Sequence, residues 1–330
     1  MKNRHKYYLN FGLKALIVIL LLGSLYRQFI LKREFAVLQD TFRENLEDLR
    51  WEYLMFVVFL MPVNWMLETK KWQLLMSPFL RLPFFQAFKA ILAGVTISIM
   101  TPNRIGEYAG RIMEIEAKYN WKGVIATLVG SLAQMIVLFL MGIAGAAYFL
   151  SSVYHINAYP LLGGLMISIG FVGLLLFIYL QVDMMVPLVR RLPLGKYQKA
   201  IYRQLLSLKK YPFLLLSRTL GISFLRYTVY ALQYYLILAF FGIAPPFFIG
   251  MAGIATVYLL QTSIPLPIFM GLLLRSEIAI EIWGHFGYNE MTIVASSLLL
   301  FIINLTIPAL LGLVIIVKTN VSKRLGLNDL

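Results

Sequence analysis

The sequence contains no cysteine and only three histidines, and both scarcities limit its chemistry. Without cysteine the chain has no disulfide, no thiolate metal ligand and no cysteine nucleophile. The histidines, His5, His155 and His285, lie too far apart in the sequence to give the ligand spacing of a metal site. The sequence also lacks a G-x-S-x-G nucleophile motif and a glycine-rich phosphate-binding loop. We therefore expect no catalytic metal, no cofactor and no enzymatic activity.

Charged residues are also scarce, and they are absent from long stretches. They make up 14% of the chain, whereas a soluble domain carries about 25%. Hydrophobic residues make up 60%, and the mean hydropathy is +0.77. Residues 123–182 and 227–274 contain no Asp, Glu, Lys or Arg, and each run is long enough for two spans of about 20 residues. The sequence predicts an all-α, polytopic integral membrane protein in which residues 1–330 form a single membrane domain.

Charge-poor windows predict about eight transmembrane helices. The windows are 9–27, 53–68, 122–151, 157–180, 219–242, 246–264 and 290–317, with an irregular segment at 265–287 that either crosses or lies at an interface. The first window resembles a signal peptide but lacks a small-residue cleavage site, so we expect a retained anchor. The acidic segment 34–52 is either an amphipathic helix at the interface or a short solvated connector.

The net charge of +15 is concentrated in short basic segments. These are the N-terminal MKNRHK, the ETKK at 68–71, the stretch 182–218 and the C-terminal tail. Lys and Arg at such positions set membrane orientation and contact anionic headgroups. No basic groove with interleaved aromatic residues suits a nucleic acid. We expect no nucleic-acid partner, a plasma-membrane location, cytoplasmic N- and C-termini, and a basic cytoplasmic loop at 182–218.

A re-entrant hairpin at 84–116 follows from the number of crossings. If 68–71 and 182–218 are both cytoplasmic, an even number of segments crosses between them, yet three apolar segments lie there. The charge-free part of the first, residues 90–103, is too short to span a bilayer. The sequence therefore predicts two helices that enter and leave on the same side.

The break in this hairpin lies in TPNRIGEYAGR, residues 101–111. Pro102 suits the break because it fixes its own φ and donates no hydrogen bond. Asn103 can cap the returning helix, whose N-terminus carries partial positive charge. Gly106 and Gly110 leave one ridge of that helix thin, which allows a neighbouring helix or a lipid to approach closely. We interpret these four residues as the structural part of the motif.

Four polar side chains of the same segment share one helix face. Arg104, Glu107, Tyr108 and Arg111 recur at i, i+3, i+4 and i+7. Two guanidinium groups beside a helix N-terminus can bind a phosphate, and Glu107 can orient one of them or carry a proton. The alternative is a buried Arg–Glu–Arg network that only fastens the hairpin to its neighbours. Charge inside a membrane is costly, which favours a functional site.

The segment is similar to the P-x-R-x-G-E-x-x-R signature of the lysylphosphatidylglycerol synthase transmembrane family, also called flippase-like membrane proteins. The matching residues are Pro102, Arg104, Gly106, Glu107 and Arg111. The chain length, the number of spans and the basic mid-chain stretch also agree. The resemblance implies a lipid flippase-like membrane domain, and we expect a stand-alone member without the aminoacyl-transfer domain and its activity.

Two departures from the family pattern limit what the resemblance implies about the substrate. The family often has a Glu-Arg pair in the next span, where this chain has GSLAQM at 130–135. It also tends to have a P-G-G-x-G-x-x-E stretch late in the chain. The corresponding segment here keeps Pro267, Gly271, Arg275 and Glu277 but has no double glycine. The general likeness therefore stands, but no particular lipid headgroup can be carried over.

Polar residues later in the chain have two interpretations each. Arg275 and Glu277, with Glu281, either form a second substrate-binding element opposite the first or mark an interface. Arg226 either extends to cytoplasmic headgroups or lines the polar cavity. Single polar residues within spans, such as Gln134, are more typical of interhelical hydrogen bonds than of ligand sites.

Together these features predict a protein that translocates or binds a phosphate-bearing or otherwise anionic membrane lipid. The alternatives are a non-transporting partner in cell-envelope assembly and, third, a membrane-embedded transferase. Further partners in these interpretations are a second copy of the chain or an envelope-synthesis protein. Because no nucleotide-binding motif is present, a gradient, a partner or the lipid's own concentration difference would drive movement.

Overall fold

The computed structural model describes residues 50–99, 101, 104–154, 158–184, 186–187, 198–263 and 268–318, together with residues 11–12, 15–16, 19, 23 and 39–40. All regular structure in this part of the chain is helical. The helices are α1 (Trp51–Met76), α2 (Phe84–Ile99), α3 (Gly106–Ile112), α4 (Asn120–Val153), α5 (Ala158–Leu180), α6 (Gln198–Leu205), α7 (Phe213–Phe240), α8 (Phe247–Ser263), α9 (Ile268–Gly284), α10 (Glu290–Phe301) and α11 (Ile307–Lys318). The all-α prediction is thereby confirmed.

Several helices have the character of membrane spans. Among the described residues, three stretches are long and apolar enough to cross a bilayer: Ala117–Val153, Leu162–Leu180 and Glu290–Lys318. Helices α2 and α8 are apolar but shorter. These stretches agree with a polytopic membrane protein, while the number of about eight spans stays a prediction. The described residues within 9–27, and Gln39 and Asp40 of the 34–52 connector, are helical, but most of both segments lies outside the described residues.

The structure corrects three boundaries. Helix α1 continues to Met76, so ETKK at 68–71 is part of a helix and not a loop. Residues 182–218 are partly helical: they contain α6, and α7 begins at Phe213, directly after the extended Pro212. The irregular segment expected at 265–287 is instead helix α9 from Ile268 to Gly284. The sequence interpretation took charged and polar residues as helix ends at these places. Glu68 and Lys71 are instead buried against other helices, whereas Glu277 and Glu281 lie on the exposed face of a helix that continues past them.

Helices α2 and α3 form a tightly packed antiparallel hairpin. A Cβ atom added at Gly106 would lie 2.4 Å from the backbone oxygen of Ile97, and one at Gly110 would lie 2.4 Å from that of Ala93. At the open end, Gln86 Nε2 donates a hydrogen bond to the backbone oxygen of Glu114, with 2.7 Å between them. The chain therefore returns at residue 114 to the level at which α2 begins. Only glycine permits the helix axes to approach this closely.

Helix α11 covers the opposite side of α2. A Cβ atom at Gly312 would lie 2.2 Å from the backbone oxygen of Leu92, and Thr96 Oγ1 donates a hydrogen bond to the backbone oxygen of Ala309 across 2.7 Å. A π-helical turn, Ile302–Thr306, joins α11 to α10. Pro308 lies four residues after Asn304 and cannot donate to its carbonyl, which accounts for the altered turn. Helix α2 is thus held between α3 and α11.

The buried side chains form two large hydrophobic clusters. One lies around Trp72 and Ile91 and includes residues of α1, α2 and the N-terminal parts of α4 and α7; we call this region, with α3, the hairpin half. The other lies around Tyr234 and Trp283 and includes the C-terminal part of α7 with α8, α9 and α10; we call it the distal half. Helix α7 passes through both. The charged motif belongs to the hairpin half.

Candidate functional site

The hairpin presents Arg111 to the C-terminal half of α1. On α2, a Cβ atom at Gly94 would lie 3.0 Å from Arg111 Cγ, so the stem of this arginine lies flat across the glycine. Its side chain is only 2% exposed. The guanidinium group extends toward α1, where a carboxylate receives it. The small residues of the hairpin thus place a charged group deep between helices.

Glu68 of α1 is the centre of the charged cluster. Its Oε1 lies 2.7 Å from Arg111 Nη2, and its Oε2 lies 2.6 Å from Lys71 Nζ and 3.1 Å from Arg226 Nη1. Glu68 and Lys71 are one helical turn apart and both are buried. A single buried carboxylate therefore binds three cations from three different helices.

Glu107 connects Arg111 to the rim of the site. One of its carboxylate oxygens accepts a hydrogen bond from Arg111 Nη2, and the other lies 3.6 Å from Arg104 Nη2. The Arg104 side chain is 46% exposed, in contrast to buried Arg111. The backbone of Arg104 has a φ of 58°, in the left-handed region that residues other than glycine and asparagine rarely adopt. The side chain is held at the rim at a conformational cost of about 1–2 kcal/mol.

Polar groups of α4 and α7 complete the cluster. Gln134 Oε1 lies 3.4 Å from both Lys71 Nζ and Arg226 Nη1, and its Nε2 donates to the backbone oxygen of Ser223 across 3.3 Å. The Arg226 guanidinium also lies over the ring of Trp65, with 5.5 Å from Cζ to the ring centroid. Gln134 lies in the GSLAQM segment at 130–135.

The cluster carries more positive than negative charge. Its cations are Lys71, Arg104, Arg111 and Arg226, and its carboxylates are Glu68 and Glu107, so four charges of one sign meet two of the other. The Nε atoms of Arg111 and Arg226 are buried and have no hydrogen-bond partner among the described residues. An unsatisfied buried donor costs about 1–3 kcal/mol. An anion that enters the cluster can balance the charge and satisfy these donors.

The other predicted motif residues lie around this cluster. Tyr108 is half-buried. Gly106 and Gly110 lie at the contact between α2 and α3. Pro102 and Asn103 lie outside the described residues, so their predicted roles in the break stay predictions. Among the described residues, no group of three His, Asp or Glu side chains converges in a way that could hold a metal.

Arg275, the predicted centre of a second element, lies in the distal half in different surroundings. Its Nε donates to Gln261 Oε1 across 2.9 Å, and its Cζ lies 5.9 Å from the ring centroid of Tyr258. Tyr230 stacks on Tyr258, with 5.0 Å between ring centroids. We call these four residues the aromatic pocket. Glu277 is exposed, and no ion pair links it to Arg275 in the described part of the chain.

The sequence interpretation did not assign Glu68, Lys71 and Gln134 to the site and left Arg226 undecided. Glu68 and Lys71 were read as part of a cytoplasmic loop. The available signal was their position one turn apart between Trp65 and Trp72, with large apolar residues resuming at Leu74 to Met76. That pattern is typical of a helix that continues through its charged residues and buries them.

Comparison with known proteins agrees with the signature. A family model described as "Lysylphosphatidylglycerol synthase TM region" matches residues 12–312, which include the hairpin and every residue of the charged cluster. The chain belongs to the lysylphosphatidylglycerol synthase TM region family. A search of curated proteins gives no match to it. Family membership and the apolar helices make it a membrane protein of lipid metabolism or transport.

Proposed function

We propose that this protein binds a phosphate-bearing, anionic lipid at the charged cluster and moves it between the leaflets of the plasma membrane. The observation that carries the proposal is the surplus of positive charge: in the part of the chain that the structure describes, three largely buried cations and one on the rim, Arg104, meet two carboxylates. Unbalanced charge away from water costs several kcal/mol. A bound anion reduces this cost, and the excess therefore supports an anionic ligand.

Phosphate is the anion that suits these donors. Guanidinium groups present their N–H groups in a fixed fork that matches phosphate oxygens. Arg111 and Arg226 each have a buried Nε that finds no hydrogen-bond partner among the described residues. Lys71 would add a compact charge beside them. A carboxylate-bearing ligand would meet the same donors with fewer oxygens, so we assign the phosphate group of a lipid to this place.

The rim of the cluster favours an amphiphile over a soluble ion. Arg104 is about half exposed, and the adjacent Ile105 is 61% exposed. A headgroup phosphate can approach Arg104 while its acyl chains stay beside Ile105 and the apolar helix surfaces. Because Glu107 holds Arg104 only loosely, at 3.6 Å, this arginine is free to exchange its carboxylate partner for a phosphate.

The hairpin, in this proposal, is re-entrant and the chain termini are cytoplasmic. The hydrogen bond from Gln86 to the backbone of Glu114 supports it, since the chain returns to the level at which α2 begins. Single cysteines at Arg81 and Lys118 test this arrangement, because the chain has no native cysteine and both residues are exposed. A membrane-impermeant maleimide should label both from the same side. Labelling from opposite sides would show that the hairpin crosses.

Lipid movement can be measured with purified protein in liposomes. The probes are fluorescent phosphatidylglycerol and a fluorescent glycosyl-diacylglycerol with the same acyl chains, and external dithionite reports how fast each reaches the outer leaflet. We expect the wild-type protein to move the phosphate-bearing probe at least tenfold faster than the phosphate-free one. Arg104→Asn should abolish most of this movement, whereas Lys89→Gln, which removes an exposed cation of α2 outside the cluster, should not change it.

The outcomes separate the proposal from its alternatives. Equal movement of both probes would remove the role of phosphate. A covalent change in the probe would support a transferase, although the protein carries out no such chemistry in our proposal. If neither probe moves and Arg104→Asn changes only a cellular envelope phenotype, the protein is a non-transporting assembly partner.

A further inference from the structure

A second basic site lies on the outer surface of the hairpin half. An open groove of about 700 Å³ runs between the C-terminal part of α1 and the N-terminal part of α7, and the turn that contains Arg81 and Leu82 closes one end. We call it the basic groove. Its volume lies within the range of about 300–1,000 Å³ that is usual for small-ligand sites. None of its charged side chains belongs to the buried cluster.

Three exposed cations surround the basic groove, and no acidic residue lines it in the part of the chain that the structure describes. They are Lys70, Arg81 and Arg218, which come from α1, the α1–α2 turn and α7. Among the described residues, none of the three forms an ion pair with a carboxylate. Lys70 Nζ lies 5.1 Å from the ring centroid of Phe84 and so retains free N–H donors. The groove thus has an open positive potential.

The walls between these cations are apolar. Leu74 on one side and Ile222 and Leu225 on the other line the groove, and Leu225 is exposed. Gly221 has nothing within 4 Å of where a Cβ atom would lie, so it leaves the α7 wall open. A soluble phosphate would use the cations but not the apolar walls. A molecule with an anionic head and hydrocarbon chains complements both.

The basic groove lies back to back with the charged cluster. Lys70 faces the groove while its neighbour Lys71 binds Glu68, and Leu225 faces the groove while its neighbour Arg226 binds Glu68. Only the packed contact of α1 with α7 separates the two sites. We infer that the basic groove binds an anionic phospholipid of the surrounding leaflet, with its phosphate among Lys70, Arg81 and Arg218 and its chains against Leu74 and Ile222. This site extends the proposed function but does not require that the cluster moves lipid.

A fluorophore placed in the groove can report its occupancy directly. Ser77 lines the groove and is exposed, so Ser77→Cys can carry an environment-sensitive label as the sole thiol of the chain. The labelled protein is reconstituted in nanodiscs of phosphatidylcholine with increasing phosphatidylglycerol. We expect the emission to shift and saturate as phosphatidylglycerol is added. Inorganic phosphate added to phosphatidylcholine nanodiscs should produce no shift.

Variants assign the response to the groove. Lys70→Gln, Arg81→Gln and Arg218→Gln combined should raise the phosphatidylglycerol fraction at half-saturation at least fivefold. A matched triple substitution of exposed cations elsewhere, Lys89→Gln, Arg203→Gln and Lys209→Gln, should leave it unchanged.

A steric pair of variants completes the design. Gly221→Leu fills the wall with all three charges intact and should remove the shift. Gly170→Leu, at another helical glycine with open space around it, should not. Three results would overturn the inference. The wild-type emission does not change as phosphatidylglycerol replaces phosphatidylcholine, inorganic phosphate alone shifts it, or the groove triple variant responds as the wild type does. Arg104→Asn should leave the response intact, so failure at the cluster and failure at the groove are distinguishable.

Discussion

The two halves of the protein hold their buried and partly buried arginines in opposite ways. In the hairpin half, Arg111 and Arg226 share a carboxylate, and the cluster around it keeps a surplus of positive charge. In the distal half, Arg275 bonds to Gln261 and lies against the face of Tyr258, with no carboxylate partner among the described residues. Ring quadrupoles and an amide can hold a single cation at low cost. Among the described residues, therefore, the hairpin half combines strong ion pairs with a surplus positive charge, and the distal half does not.

The difference follows from where the carboxylates lie. Glu68 and Glu107 come from separate helices and point toward the same arginine, which links α1 to the hairpin. In the distal half, Glu277 and Glu281 follow Arg275 on its own helix and are both exposed. A ligand that binds to the ion-pair network can change how its helices contact one another. The aromatic pocket surrounds a single side chain, and its main effect is to hold Arg275 in one position.

The largest expected effect comes from Glu68→Gln. The change leaves four cations with one carboxylate, and loss of one partner of a buried pair costs about 3–5 kcal/mol. We expect the melting temperature in detergent to fall by about 10 °C or more. Arg226→Gln removes one of the surplus cations and should lower it far less. Equal effects of the two variants would mean that the cluster has no charge surplus.

Gly110→Ala should have the next largest effect. The new Cβ would lie 2.4 Å from the backbone oxygen of Ala93 and 2.5 Å from Gly94 Cα, so the hairpin would have to open. We expect a loss of about 2–3 kcal/mol, as for other overpacked sites. The matched variant in the distal half, Gly250→Ala, meets the Tyr235 ring, which can turn aside, and should cost less. Thermal melts of both variants in one detergent would show whether the hairpin half is the tighter one.

Arg275→Lys tests the role of the aromatic pocket. Lysine keeps the charge but loses the Nε bond to Gln261 and the flat contact with Tyr258, so we expect a loss of about 1–2 kcal/mol. Lipid movement in liposomes should stay near the wild-type rate. A stable variant with no lipid movement would contradict our comparison and support the second substrate-binding element predicted from the sequence.

Arg104→Asn should change stability least. Asparagine tolerates the φ of 58° better than arginine does, and the lost ion pair is long and partly exposed. We expect the melting temperature to change by less than about 2 °C. A large loss of stability would instead indicate that Arg104 fastens the hairpin. The same melts serve as the folding control for the lipid-movement assay.

The sequence predicted the helical membrane fold and most helix positions because charge-free runs are a direct signature of burial in lipid. It also placed Glu107 and Arg111 on one face, since their spacing of four residues is a local property. It could not show that Glu68 meets Arg111, because that contact joins residues 43 positions apart through the packing of two helices. The rule that places Lys and Arg in cytoplasmic loops also assigned Lys71 to a loop, whereas its side chain is buried in the cluster.

The close contacts on both faces of α2 have a mechanical consequence. Main-chain atoms of α2 already touch the glycines of α3 and α11, so these three helices cannot slide past one another and must travel as one rigid body. In the lipid movement that we propose, the relative motion is then between this body, which carries Arg111, and the α1–α7 pair, which carries Glu68 and Arg226. The distance from Glu68 Oε1 to Arg111 Nη2, which is 2.7 Å in this structure, would report that relative motion.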